Sequence, residues 1–245
     1  MSTTAVLRSE WIKIRSLRSV SGSLIAVFLV TMVVTVLTFA TVGQAEADSA
    51  DAELVFGAFY ALNFGQIAAI SFGATAISSE YLNGALRVSL AAVPRRTHFY
   101  TVKMSLIAGA ALAVGLITTL GSFLSGQLFM GKYAIGLGEP GALRAAFGGA
   151  IYLALMALFA AGLTVLLRSA IAVLSLLIPF ILIVSFVVGD IAGSAADYLP
   201  DRAGQAVLHQ HPEGSLGPWT GLAVTAGWAA VVLLAGWRAL RRRDA

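Results

Sequence analysis

Three histidines occur in this 245-residue chain, and two of them, His209 and His211, stand one residue apart with Glu213 close behind. Two imidazoles at that spacing can share a zinc ion, but tetrahedral zinc needs a third protein ligand, and none is evident. The pair therefore reads as part of a solvated loop, and His98 has no partner by spacing. Two stretches imitate phosphate-binding loops. Gly126, Gly131 and Lys132 match GxxxxGK, yet Tyr133 stands where the motif needs serine or threonine. Gly136, Gly138 and Gly141 spell GxGxxG, but Pro140 interrupts them. The absence of cysteine removes thiolate metal sites, disulfides and cysteine nucleophiles. No HExxH occurs, and no paired acids fall inside the apolar stretches. The chain is expected to have no catalytic residues, no metal and no cofactor of its own.

The elements that hold these residues are set by hydropathy. Hydrophobic residues make up 58% of the chain and charged residues 11%, with a mean hydropathy of +0.87. A soluble domain is about a quarter charged, so this composition belongs to a membrane protein. A bilayer core about 30 Å thick takes roughly 20 apolar helical residues. Six stretches free of Asp, Glu, Lys and Arg meet that need, predicting helices at 20–42, 54–78, 102–130, 145–167, 170–189 and 218–237. None alternates as barrel strands do. The fold expected is all-α: a single polytopic transmembrane domain of six helices over 1–245. Ala45-Glu46-Ala47 resembles a signal-peptide cleavage site, but the apolar stretch before it is too long for a signal core.

Charge then orients the bundle. Arg8, Lys13, Arg15 and Arg18, then Arg87, Arg95, Arg96 and Lys103, then Arg168, then Arg238, Arg241, Arg242 and Arg243 all fall on one side. Only Lys132, Arg144 and Arg202 lie opposite, among Glu46, Asp48, Asp51, Glu53, Glu139, Asp190, Asp197, Asp201 and Glu213. Both termini are expected in the cytoplasm. The predicted spans hold no charged residue at mid-depth, so a proton or sodium relay is not expected. Energy for uphill transport would have to enter from outside the membrane.

Residues 1–19 precede the first span. Leu7, Trp11 and Ile14 recur at helical spacing with Arg8 and Arg15 on another side, which predicts a helix in the headgroup layer. Glu10 falls near that apolar stripe. The loop 79–101 contains Asn83-Gly84, a turn signal, then Ala85–Ala92, able to form a short helix ending before Pro94. Within the spans, Tyr60, Asn63 and Gln66 stand three apart, and Thr118, Ser122 and Ser125 follow i, i+4, i+7. Such polar stripes either pack helices closely or line a substrate path.

Glu10-Trp11-x-Lys13-x-Arg15, the six spans, and Glu80-Tyr81-x-x-Gly84-x-Leu86-Arg87…Leu90…Pro94-x-Arg96…Lys103 together resemble the permease subunit of a type-2 ABC exporter. Family members often carry Thr after the glycine, where this chain has Ala85. The resemblance implies two permease subunits, as homodimer or heterodimer, each with a separate cytoplasmic ABC ATPase that holds the ATP and magnesium. It implies that the elbow helix and the first inner loop, through Glu10, Lys13, Glu80, Gly84, Arg87, Pro94, Arg95 and Arg96, receive the motion driven by ATP. The substrate path would then run along Tyr60, Asn63, Gln66, Thr118 and Ser122. It also implies that part of the outer loop 190–217 folds back toward the bilayer. The function expected is ATP-driven export of an amphipathic or lipid-like substrate across a bacterial plasma membrane, with no nucleic-acid partner. The alternative is a membrane anchor or sensor subunit for a cytoplasmic partner.

Overall fold

A computed structural model of the chain describes residues 3–49, 53–185, 187, 193–210 and 214–242. Among these every regular element is helical. The elbow α1 (Thr3–Ser16) is parted from α2 (Arg18–Thr38) by one extended residue, Leu17. A π-helical turn, Phe39–Gly43, carries α2 into α3 (Gln44–Ala47). The second passage is α4 (Leu54–Phe59) followed by α5 (Leu62–Ser78). A left-handed pair, Asn83 at φ 52° and Gly84 at φ 73°, turns the chain into α6 (Ala85–Ala92). Then come α7 (Arg96–Met130), α8 (Ala142–Leu167), α9 (Ala170–Pro179), α10 (Pro200–Gln205) and α11 (Pro218–Arg242).

Five helical stretches among the described residues are long and apolar enough to cross a membrane: Arg18–Ala47, Leu54–Ala92, Arg96–Tyr133, Ala142–Leu167 and Pro218–Arg242. The predicted span 170–189 is represented by the shorter apolar stretch Ala170–Ile183. There Pro179 lacks the N–H that a helix interior needs, and a π-helical turn, Phe180–Val184, follows it. The end of that prediction, at residues 186, 188 and 189, lies outside the described residues. The other helices outrun the charge-free stretches. α7 starts at Arg96 and α11 ends at Arg242, because a helix continues past the apolar layer while a charge count stops at its edge.

Small residues let the central helices touch backbone to backbone, which is how helices associate in lipid, where burial from water supplies no drive. α5 lies on α8 at Gly73, where a Cβ would collide with the Ala157 carbonyl. α8 lies on α11 at Gly162 and Gly236. α2 covers α5 and α7 from one side and turns Ile25, Leu29, Val33 and Leu37 away from the protein.

α10 and the turn after it fold back against the bundle. Val207 packs on Gly148, the Tyr152 ring on Gly204, and the Thr225 hydroxyl donates to the Pro200 carbonyl at 2.8 Å. Tyr152 lies ten residues inside α8, about 15 Å along its axis. The elbow, α6, the start of α7 and the ends of α8 and α11 gather at one end of the bundle, here the basic end. Residues 44–49, 53–57, 127–144, 197–210 and 214–216 gather at the other, the acidic end.

Candidate functional site

The basic end is organised around two carboxylates and two ammonium groups drawn from three parts of the chain. Lys103 in α7 donates to Glu10 Oε2 at 2.6 Å and to Glu80 Oε1 at 2.7 Å. Lys13 donates to Glu10 Oε1 at 2.7 Å and to the same Glu80 Oε1 at 2.9 Å. The ring closes on itself, and its formal charge is zero. Ser89 of α6 joins it, donating to Glu80 Oε2 at 2.9 Å and lying 2.9 Å from the Lys13 ammonium. Glu10, Glu80 and Lys103 are each at least 96% buried. Lys13 is the member nearest the surface, its side chain 33% exposed. Burial alone would lower the Lys13 ammonium, yet the hydrogen bonds and charges of Glu10 and Glu80 raise it above the usual lysine value.

Local sequence brings these groups together. Glu10 and Lys13, three residues apart on α1, share one helix face, with Val6 and Ile14 buried beside Glu10. The stripe turned toward the protein is thus Val6, Glu10 and Ile14. Trp11 and Ile12 point away from the protein, 41% and 56% exposed. On the other side of the ring, the backbone from Ser79 to Gly84 tightens and reverses. That places Glu80 inward and starts α6 with Leu86 buried beneath it.

The outer surface of the same loop differs sharply. Leu82 and Val88 are 64% and 71% exposed, and Arg87, Pro94 and Arg95 are exposed around them. Pro94, Arg95, Arg96, His98 and Arg241 line an open recess of about 620 Å³ beside α6. Arg96 is only half-buried and donates to the Leu240 carbonyl at 2.9 Å, tying the start of α7 to the end of α11. Trp237 reinforces that tie by donating to Thr97 Oγ1 at 3.1 Å. The eight expected coupling residues therefore divide in two. Arg87, Pro94 and Arg95, with Gly84 at the turn and the half-buried Arg96 in the recess, lie toward the surface, whereas Glu10, Lys13 and Glu80 sit behind it. Lys103 and Ser89 complete the ring, and neither was among the expected site residues. A charged Glu10 on an inward helix stripe was the signal, because such a group demands a buried partner.

The five residues expected along a substrate path do not share a surface. Thr118 and Ser122 are fully buried. Ser122 bonds Thr35 at 2.7 Å, joining α7 to α2, and Thr118 bonds the Val114 carbonyl at 2.8 Å. Gln66 is buried and accepts from the Tyr152 hydroxyl, which in turn accepts from Gln205 at 3.3 Å. Asn63 sits at the break between α4 and α5, where its backbone N–H at 3.1 Å and its side chain at 3.0 Å both donate to the Tyr60 carbonyl. Tyr60 alone of the five lines a large cavity, at the acidic end. His209 also lines it and pairs with Glu53 at 2.7 Å; His211 and Glu213 lie outside the described residues. The GxxxxGK-like stretch is helical through Met130, with Gly126 packed on Phe39.

An all-helical bundle of apolar, Gly- and Ala-packed spans with a charged elbow and an amphipathic loop is the architecture of a polytopic membrane protein. The chain belongs to the ABC-2 transporter family, whose model, described as ABC-2 family transporter protein, matches residues 6–189. It is a multi-pass membrane permease component of an ABC transporter, and that membership implies association with an ABC ATPase component. No curated protein and no solved structure matches the chain.

Proposed function

We propose that this permease exports an amphipathic or lipid-like substrate, using ATP hydrolysed by a separate ABC ATPase docked on its basic end. The basic end faces the cytoplasm, as the lysine and arginine bias requires, and the membrane is a bacterial plasma membrane. ATP and magnesium reside on the ATPase; this chain catalyses nothing and holds no cofactor. Two permease subunits, alike or different, complete the transporter.

The observation that carries the coupling is the buried ring Glu10–Lys103–Glu80–Lys13. The exposed α6 surface offers the ATPase apolar contacts at Leu82 and Val88 within a rim of Arg87 and Arg95. Basic rims of this kind steer and orient a partner with an acidic groove. Directly behind that surface, Glu80 and Ser89 grip Lys13 of the elbow, and Glu80 grips Lys103 of α7. A push on α6 therefore reaches the elbow and the longest helix at once. The rim is tested by pull-down of the ATPase that co-purifies with the tagged wild-type chain. Arg87→Glu with Arg95→Glu should remove most of that ATPase while leaving the permease folded. Full recovery of an equally stimulated ATPase would overturn the reading.

A further inference from the structure

The acidic end holds an open cavity of about 810 Å³ between the ends of the first two passages and the segments 197–210 and 214–216. That volume is within the range of small-molecule sites. Its wall combines two chemistries. Glu46, Glu53 and Asp197 bring three carboxylates, against Arg202 and the titratable His209. Glu53 is engaged by His209, and Asp197 accepts from the Ser215 backbone N–H at 2.8 Å and its hydroxyl at 3.0 Å. Glu46 is exposed and, among the described residues, pairs with no cation.

The second chemistry is a row of rings. His209 stacks on Phe56 at 4.0 Å and 14°, and Phe56 meets Tyr60 edge-on at 6.3 Å and 81°. Tyr60 meets Phe64 at 6.2 Å. The spacing of four residues puts Phe56, Tyr60 and Phe64 on one side of the α4–α5 passage, running from the cavity wall toward the middle of the bundle. Tyr60 and Phe64 are 43% and 39% exposed, while Phe56 is half-buried against His209. Ring faces attract cations, and carboxylates beside them add Coulomb attraction while repelling anions.

We propose that this cavity is a binding site for an organic cation with an apolar body, held by Glu46 and Asp197 with its apolar part against Phe56 and Tyr60. The site deepens the export reading, on which its physiological meaning rests, by naming the charge class of the substrate met at the acidic end. Binding itself needs only this chain. The full chain is placed in discs of neutral phosphatidylcholine, and retention is measured by equilibrium dialysis against empty discs. The probes are tetraphenylphosphonium and tetraphenylborate, which share a shape and differ in sign. The phosphonium should be retained above empty discs and the borate should not. Tyr60→Ala should weaken phosphonium binding about fivefold. Glu46→Gln, a surface change that leaves packing untouched, should weaken it severalfold, and Arg202→Gln should strengthen it. Equal excess retention of the borate, or phosphonium binding unchanged in Glu46→Gln and in a folded Tyr60→Ala, would overturn the site. Loss of phosphonium binding with ATPase capture intact removes this site alone. Phosphonium binding by a chain that captures no ATPase upholds the site and removes the export reading.

Discussion

The two ends of the bundle handle charge in opposite ways. At the basic end Glu10, Glu80 and Lys103 are withdrawn from solvent into a ring with no net charge that the partly exposed Lys13 closes, next to a gap of only about 20 Å³. At the acidic end the Glu53–His209 pair is about a third exposed, and a cavity of about 810 Å³ opens beside it. A buried ring fixes the relative position of the elements that supply it, since any displacement strands a charge away from water. A wet pair fixes little, because water replaces either partner at small cost. The contrast separates a region whose geometry is fixed by buried charge from one whose charges stay in contact with water.

The largest effect should come from breaking the ring. Lys103→Met leaves Glu10 and Glu80 buried with one cation between them, and should cost on the order of 3–5 kcal/mol. Thermal unfolding of the purified permease would register this as a large fall in midpoint. The double variant Lys103→Met with Glu80→Gln should regain much of the loss, because the ring is then nearly balanced again. If the single variant unfolded like the wild type, the ring would not hold the basic end together.

Next in size is the polar link at the centre. Tyr152→Phe strips Gln66 and Gln205 of their shared hydroxyl, and a buried polar group left unpaired costs about 1–3 kcal/mol. The same unfolding assay checks it, and faster hydrogen exchange over residues 200–208 should accompany it. At the acidic end, Glu53→Gln should cost no more than about 1 kcal/mol. A larger loss there would erase the distinction between the two ends. The smallest expected effect is that of pH on the elbow. The Lys13 pKa is raised in the folded chain, so its contribution is fully present below the ordinary value of 10.5 and is lost as pH rises above it. Hydrogen exchange of the elbow, corrected for intrinsic rate, should therefore be flat between pH 7 and 9.

Much of the architecture is legible without coordinates. The absence of charge over long stretches marks the passages, and the lysine and arginine bias sorts the loops by end. Asn83-Gly84 announces the turn before α6, and both residues adopt the left-handed backbone expected there. What composition misses is register across separate elements. Glu10 and Lys103 are 93 positions apart, and nothing local to either shows that α1 and α7 bring them within hydrogen-bond reach. The polar stripes are ambiguous for a related reason. Ser122 and Gln66 have the same appeal whether they face a path or a neighbouring helix, and only the partner, Thr35 or Tyr152, tells which.

The longest helix, α7, has 35 residues and contains no proline, so it is about 52 Å of continuous rod, well beyond the bilayer core. Lys103 near its start is clamped in the ionic ring, and Met130 at its far end forms part of the cavity wall. A strut clamped at one end and forming cavity wall at the other joins the two regions in one rigid element, so a tilt at the clamp would be carried along the rod to the shape of the chamber.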